Sequence, residues 1–352
     1  MNMSHTDPAP RAQRLELALD AGLSLPGAGP IVALHPRAGE SLAPLPRPRL
    51  HIVTPHFPDH AAFAAQGYAC ARDTDGIGGD AAAVMVCLPR ARAEALDLIA
   101  RACALTDGPV IVDGQKTDGA DSILKALRQR ANVAEPISKG HGKIFWFPSP
   151  GAAAMPDWLA APMTVRDAGG SAFTTRPGLF SADAVDPGSA LLAASLPATL
   201  GGEAVDLGAG WGYLSAALLA HAPRIRALHL VEADARALDC ARQNVSDPRA
   251  VFHWADATMP LPGLQADLVV MNPPFHTGRK GQPGLGIAFI RTAAALLRPS
   301  GQVWLVANRH LPYEAAIAAS FRRYEEIAGT AAFKIFRAEG PLRATGRRPG
   351  SA

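Results

Sequence analysis

In the second half of this chain short apolar runs alternate with segments of helical character, and that alternation restricts the fold more than any other feature. Residues 203–207 (EAVDL), 227–232 (ALHLVE), 251–254, 267–271 (DLVVM) and 302–307 (QVWLVA) read as strands, with helices over 213–221, 235–244, 287–297 and 313–321. Asp234 stands where its side chain can cap the helix 235–244. The runs 324–328 and 333–338 close the series as an antiparallel pair. Strands that alternate with helices form a parallel, doubly wound sheet.

The first half reads as a worn copy of the second. AAAVMVCLPR (81–90) resembles ADLVVMNPPF (266–275), GPVIVDGQ (108–115) resembles GQVWLVAN (301–308), and HGKIFWF (141–147) resembles AFKIFRA (332–338), in the same order. This copy contains no glycine-rich turn, and Leu88-Pro89-Arg90 is read as the counterpart of Asn272-Pro273-Pro274. The fold class is therefore α/β, with two tandem doubly wound (Rossmann-like) domains of which the N-terminal one is degenerate. The divisions expected are a disordered tail over 1–12, the degenerate domain over 13–150, a Pro/Gly/Ala-rich linker leading into a hairpin over 151–170, the intact domain over 171–340 and a basic tail over 341–352. The hairpin reads MTVRD-AGG-SAFTTR, residues 163–176.

Composition removes several classes. A chain of 352 residues is too long for one ordinary core and suits two domains. No apolar run approaches the roughly 18 residues that span a bilayer, and the start MNMSHTDPAPR lacks a secretory pattern, so no membrane association and a cytoplasmic setting are expected. Cys70, Cys87, Cys103 and Cys240 form no C-x-x-C pair; they read as small buried apolar residues, and no metal is expected. The net charge of +3 is too small for a protein that coats DNA, but it does not exclude an enzyme that grips RNA through one local basic patch. Lys334, Arg337, Arg343, Arg347 and Arg348, opposed only by Glu339, form either such a patch or a solvated tail.

Chemistry concentrates at the ends of the second-half strands. In Val205-Asp206-Leu207-Gly208-Ala209-Gly210-Trp211-Gly212 an apolar strand runs into three alternate glycines and then a helix. Such a turn lets a ligand approach backbone that carries no Cβ. The spacing is G-x-G-x-G, with Tyr213 where a dinucleotide fingerprint has its third glycine, and Asp206 lies two residues before the first glycine. A pyrophosphate has no use for that carboxylate, whereas the ammonium end of S-adenosylmethionine does. Glu232 ends the next strand, where a carboxylate can accept both hydroxyls of a ribose. Asp256 follows the third strand, placed either to accept from an adenine amino group or to hold a turn.

Asn272-Pro273-Pro274-Phe275 follows the fourth strand and shares the carboxyl-end crevice with the glycine turn. An aryl amino group is a poor nucleophile because its lone pair is delocalised into the ring. The Asn272 side-chain oxygen and the Pro273 carbonyl can accept its two N–H bonds and turn the lone pair outward. The proline pair keeps those acceptors aimed, and Phe275 can stack on a base drawn out of its helix. His276 reads as a loop residue rather than a base. Arg279, Lys280 and Arg309, near the same mouth, either meet phosphates or stay solvated.

These motifs resemble those of class I S-adenosylmethionine-dependent methyltransferases acting on amino nitrogens. The similarity narrows to the bacterial small-subunit ribosomal RNA guanine-N2 methyltransferases of the RsmC type. It rests on FTTRPGLFSADAVDPGSALL (173–192), VDLGAGWGYLSAALL (205–219), NPPFHTGR (272–279), VANRHLPYE (306–314) and FKIFRA (333–338). That family also carries a degenerate N-terminal methyltransferase copy. The resemblance implies that Asp206, Gly208, Gly210, Gly212, Glu232 and Asp256 line the cofactor, with Phe180 and Asp186 near its methionine end. It implies that Asn272, Pro273, Pro274 and Phe275 hold the target base, and that the partner is ribosomal RNA or the small ribosomal subunit. The reaction expected is methylation of a 16S rRNA guanine N2. The alternatives are a protein glutamine N5 or adenine N6 methyltransferase, and a non-catalytic RNA-binding assembly factor.

Overall fold

The computed structural model describes residues 10–75, 77, 80–274 and 283–342. They fall into two units, one running to Pro162 and including Arg176–Gly178, the other comprising Met163–Thr175 and the chain from Leu179 onward. Among the described residues no helix is long and apolar enough to cross a membrane.

The first unit holds strands β1 (Ile31–Leu34), β2 (Leu50–Val53), β3 (Ala69–Ala71), β4 (Ala83–Cys87), β5 (Pro109–Gln115), β6 (Ile137–Lys139) and β7 (Gly142–Pro148). Its helices are α1 (Pro10–Asp20), α2 (Phe57–Ala65), α3 (Arg92–Leu105) and α4 (Ala120–Leu127). The second unit opens with the hairpin β8 (Met163–Arg166) and β9 (Ala172–Thr175). Strands β10 (Gly201–Leu207), β11 (Arg224–Glu232), β12 (Ala250–Trp254), β13 (Ala266–Met271), β14 (Leu297–Asn308), β15 (Phe321–Gly329) and β16 (Phe333–Pro341) follow. Interspersed are helices α5 (Pro187–Ser195), α6 (Tyr213–His221), α7 (Ala235–Asn244), α8 (Pro283–Leu296) and α9 (Glu314–Ser320).

The expected duplication is present in the topology. The first sheet runs β3-β2-β1-β4-β5-β7-β6 and the second β12-β11-β10-β13-β14-β16-β15, the same order of seven strands, with the last two antiparallel in each. In the second sheet Val205, Val269 and Val303 pack on one face against Phe289 and Ile290 of α8 and Ile317 of α9. Leu228, Val270 and Val306 pack on the other against Leu192 of α5, Leu218 of α6 and Leu238 of α7. Burial on both faces is why these strands read as apolar runs. The shared Lys-Ile-Phe also has a physical basis. Lys143 pairs with Asp121 on α4, Lys334 pairs with Glu314 on α9, and the Ile and Phe that follow each lysine are buried.

Four expectations need correction. The strand register gives Cys87, not Leu88, as the counterpart of Asn272: Cys87 faces Asp113 across β4–β5, and Asp113 and Val306 each lie opposite the isoleucine of their copy's Lys-Ile-Phe. Residues 10–12 of the stretch expected to be a disordered tail belong to α1, which is tied down by charge. Arg11 Nε donates to Asp113 Oδ1 at 2.6 Å, Arg14 Nε donates to Asp113 Oδ2 at 2.6 Å, and Arg11 also pairs with Glu40. Lys334 and Arg337 belong to β16 and are neutralised there by Glu314, Glu325 and Glu339, so they form no free basic patch; Arg343, Arg347 and Arg348 lie outside the described residues. Cys70 is only half-buried, because β3 is the edge strand of its sheet; the other three cysteines are buried.

Asp113 and Arg14 are fully buried, so their charges have little water to fall back on. Asp113→Ala, which strands two guanidinium groups, is expected to cost about 3–5 kcal/mol of stability, read from the urea unfolding midpoint of the intact protein. A midpoint equal to that of the parent would show that this cluster does not hold α1.

Candidate active site

The central strand β10 ends at the glycine turn. Gly208, Gly210 and Gly212 have φ of +81°, +55° and +90°, the left-handed region that side chains avoid. The N–H groups of Gly208 and Ala209 both donate to the Val231 carbonyl, at 2.8 and 3.1 Å, which folds the turn back over β11. A Cβ on Gly208 would lie 2.9 Å from the Phe289 ring, whereas one on Gly210 would meet nothing within 4 Å. Gly210 therefore opens onto free space, and together with Gly208 it lines a crevice. Gly212 lies behind that wall, starting α6 and packing on Ala241 and Val245.

Carboxylates gather at this turn. Asp206 is 1% exposed and accepts from Ser215 Oγ at 2.6 Å. Burial, reinforced by the nearby Glu232 carboxylate and opposed by the Ser215 hydrogen bond, pushes its carboxyl up to about 7. Glu232 accepts the Gly210 N–H on Oε2 and the Asp234 N–H on Oε1, each at 2.8 Å. The Ala233 N–H also faces this carboxylate, so backbone donors hold it on several sides. Burial raises the Glu232 carboxyl above its ordinary value. Asp186 caps α5, its Oδ2 accepting the Ser189 N–H at 2.7 Å, and lines the same crevice. Phe180, 56% exposed, lies at this wall and accepts the Trp211 Nε1–H on its carbonyl.

Asn272 follows β13 and faces the same space. Its Nδ2 donates to Asp186 Oδ2 and to Ser189 Oγ, both at 2.8 Å. A carboxylate only accepts, so these bonds fix which end of the carboxamide is nitrogen and leave Oδ1 as an acceptor. Pro273 is buried and Pro274 exposed. Phe275, His276, Arg279 and Lys280 lie outside the described residues.

Two candidates take other roles. Asp256 Oδ1 accepts from the Thr258 N–H and Oγ–H at 2.8 and 2.7 Å, the turn-holding alternative, and Asp256 does not line the crevice. Arg309 donates to the Thr330 and Phe333 carbonyls and pairs with Glu326, so its guanidinium closes the β15–β16 turn instead of waiting for a phosphate. Conversely, Ser181, Ser189, Trp211, Tyr213 and Leu214 line the crevice, and Ser215 holds Asp206, though none was singled out from sequence. Asp-Pro-Gly-Ser at 186–189 carried a legible signal, a capping residue followed by proline at the first helical position. Trp211 and Tyr213 were hidden because their packing partner, Phe173, comes from the distant hairpin, at ring separations of 5.4 and 5.6 Å.

The crevice thus offers the acidic groups Asp186 and Asp206, Cβ-free backbone and the Asn272 amide; Glu232 does not line it and stands behind Gly210, whose N–H it accepts. Residues 170–337 match the family model described as methyltransferase small domain. The chain is 35% identical over 164 residues to ribosomal RNA small subunit methyltransferase C of Klebsiella pneumoniae, covering 46% of this chain and 48% of that protein. It is 34% identical over 170 residues to the protein of that name from Salmonella paratyphi B, covering 48% and 49%. The chain spans about half the length of the curated relatives it matches. A solved T. thermophilus structure, described as the 16S rRNA N2 G1207 methyltransferase (RsmC) in complex with AdoMet and guanosine, superposes with a TM-score of 0.78 over 94% of each chain at 24% identity. That superposition shows the same fold, both units included.

The Asp206 carboxyl sets a pH dependence. Its value is raised from 3.8 to about 7 on folding, so across that window the folded protein holds a proton that the unfolded chain has released. Stability of the ligand-free protein is therefore expected to fall as pH rises through the window. Asp206→Asn is expected to lose less stability than the parent between pH of about 4 and about 7, measured by urea unfolding at each pH. Equal losses would show that Asp206 ionises without cost.

Proposed function

We propose that this chain, whose residues 170–337 match the methyltransferase small domain model, transfers a methyl group from S-adenosylmethionine to the N2 amino group of a guanine in small-subunit ribosomal RNA. The observation that carries this reading is the carboxamide of Asn272, held by its nitrogen with its oxygen left to accept, beside a crevice suited to a cationic adenosine derivative. The names of the curated relatives, and the AdoMet and guanosine bound by the T. thermophilus enzyme, support the same cofactor and base.

S-adenosylmethionine supplies, when bound, a methyl group on a sulfonium, already activated for displacement. The residues present fit it. Asp206 and Asp186 face its positive end, Glu232 at the end of β11 takes the ribose hydroxyls, and Gly208 and Gly210 let backbone come close. Phe180, exposed at the crevice wall, is assigned to the methionine side. Asn272 Oδ1 and the Pro273 carbonyl accept the two N–H bonds of the target amine, which withdraws its lone pair from the ring and directs it outward. No residue forms a covalent intermediate; rate enhancement comes from orientation. The proton lost from the methylated nitrogen passes to water.

In this reading the intact domain spans 171–340 and the degenerate domain 13–150 supports the fold and helps hold RNA, in the cytoplasm. The degenerate copy has lost each piece of the site. Its register puts Ala33 where Asp206 stands, His35 for Gly208, Thr54 for Glu232 and Cys87 for Asn272.

Asn272→Ala is expected to lower the single-turnover rate on the order of 10²–10³-fold while S-adenosylhomocysteine binding stays near that of the parent. The assay is tritium transfer from labelled cofactor into small ribosomal subunits, with free rRNA, adenine-containing RNA and protein as separate acceptors. A wild-type rate in Asn272→Ala would reduce the tetrapeptide to a turn; label in glutamine or adenine would move the reaction to those amines. Glu232→Ala is expected to weaken S-adenosylhomocysteine binding by about 1.5–3 kcal/mol in calorimetry, the worth of hydrogen bonds to a charged group.

A further inference from the structure

An asparagine that accepts from a substrate amine has a weakness. Its carboxamide presents oxygen or nitrogen with nearly the same shape, and a half-turn about the last side-chain bond would aim two N–H donors at an amine that needs an acceptor. In water the two orientations differ little. Something in the site must choose, and a proline-rich turn fixes the backbone without fixing the amide.

We propose that Asp186 and Ser189 are positioning residues that lock the Asn272 carboxamide with its oxygen toward the substrate; this rests on the methyl-transfer reading given above. The Asn272 nitrogen donates to Asp186 Oδ2 and to Ser189 Oγ, each at 2.8 Å. Turning the amide over would face its oxygen against the Asp186 carboxylate oxygen, which only accepts; the Ser189 hydroxyl can accept or donate, so Asp186 chooses the orientation and Ser189 holds the amide in it. The clamp is itself held. Asp186 Oδ2 also accepts the Ser189 N–H at 2.7 Å as the cap of α5, so one carboxylate oxygen joins the helix start to the end of β13. Ser189 is 9% exposed, which shields the clamp from competing water. The remaining Asp186 oxygen is left for the crevice, so the residue that orients the acceptor also borders the cation's place.

Ser189 separates this role from the others, because its cap bond uses backbone N–H and survives removal of the hydroxyl. Ser189→Ala is expected to lower the single-turnover rate roughly tenfold, the loss of one oriented hydrogen bond, with S-adenosylhomocysteine affinity unchanged within about twofold. Ser189→Thr, which keeps a hydroxyl, is expected to recover most of the rate. The deciding measurement is a double-mutant cycle with Asn272→Ala on full-length protein and small ribosomal subunits. If Ser189 acts through Asn272, Ser189→Ala costs nothing further once Asn272 is gone. An equal cost in both backgrounds, or a wild-type rate for Ser189→Ala where Asn272→Ala is slow, overturns the clamp and leaves the methyl-transfer reading standing. A wild-type rate for Asn272→Ala overturns that reading itself.

Discussion

The parallel register of three adjacent strands underlies everything else at the crevice. In β11–β10–β13, Leu207 pairs with Val231 and Asp206 with Val270, so Val231, Leu207 and Met271 lie at one level, at or one residue before the end of each strand. Gly208, Glu232 and Asn272 are the first residues beyond that level. Parallel strands present their carboxyl ends on a common edge, which is why groups far apart in sequence arrive side by side. The left-handed glycines then turn the backbone away from β10 steeply enough to leave space where another turn would place side chains.

The two copies in the chain separate what the sheet requires from what the chemistry requires. Both keep the strand order, the apolar faces and the lysine–acid pair from β7 or β16 to the helix before it, α4 or α9. They part at the strand ends. The first copy has buried Cys87, its thiol pushed up to about 12 by burial, beside an Asp113 committed to Arg11 and Arg14. The second copy has Asn272 beside an Asp186 that caps a helix. Each arrangement satisfies its buried polar groups, but the first satisfies them entirely within the protein, whereas the second leaves acceptors facing the crevice. A buried carboxylate such as Asp206, raised toward neutrality in the ligand-free protein, is costly to keep ionised and regains its value when a cation sits against it.

Much of this was legible in the linear sequence, for a local reason. Helices α6 and α7 occur at the residues that apolar spacing and the Asp234 cap indicate, because those signals act within a few residues. Asp206, Glu232 and Asn272 could be picked out because each stands at a strand end, and strand ends are visible as the close of an apolar run. The Asp186–Asn272 bond was not legible, since it joins residues 86 apart and depends on how α5 meets β13. Arg309 looked available until its Glu326 partner came in from β15, two strands across the sheet, and Cys87 was displaced by one position because similarity between two short apolar runs does not fix hydrogen-bond register.

What the sequence by itself determined, then, is the inventory: two doubly wound sheets, a glycine turn, and the carboxylates and asparagine that follow the strands. What only the tertiary structure decided is direction. Whether the Asn272 amide shows oxygen or nitrogen, whether Asp256 faces a ligand or its own turn, and whether a given arginine is free all depend on hydrogen bonds between distant segments. Periodicity and capping reach only a turn or two along the chain. Hydrogen bonds are satisfied in three dimensions, by whichever groups the packed sheet and helices bring within about 3 Å.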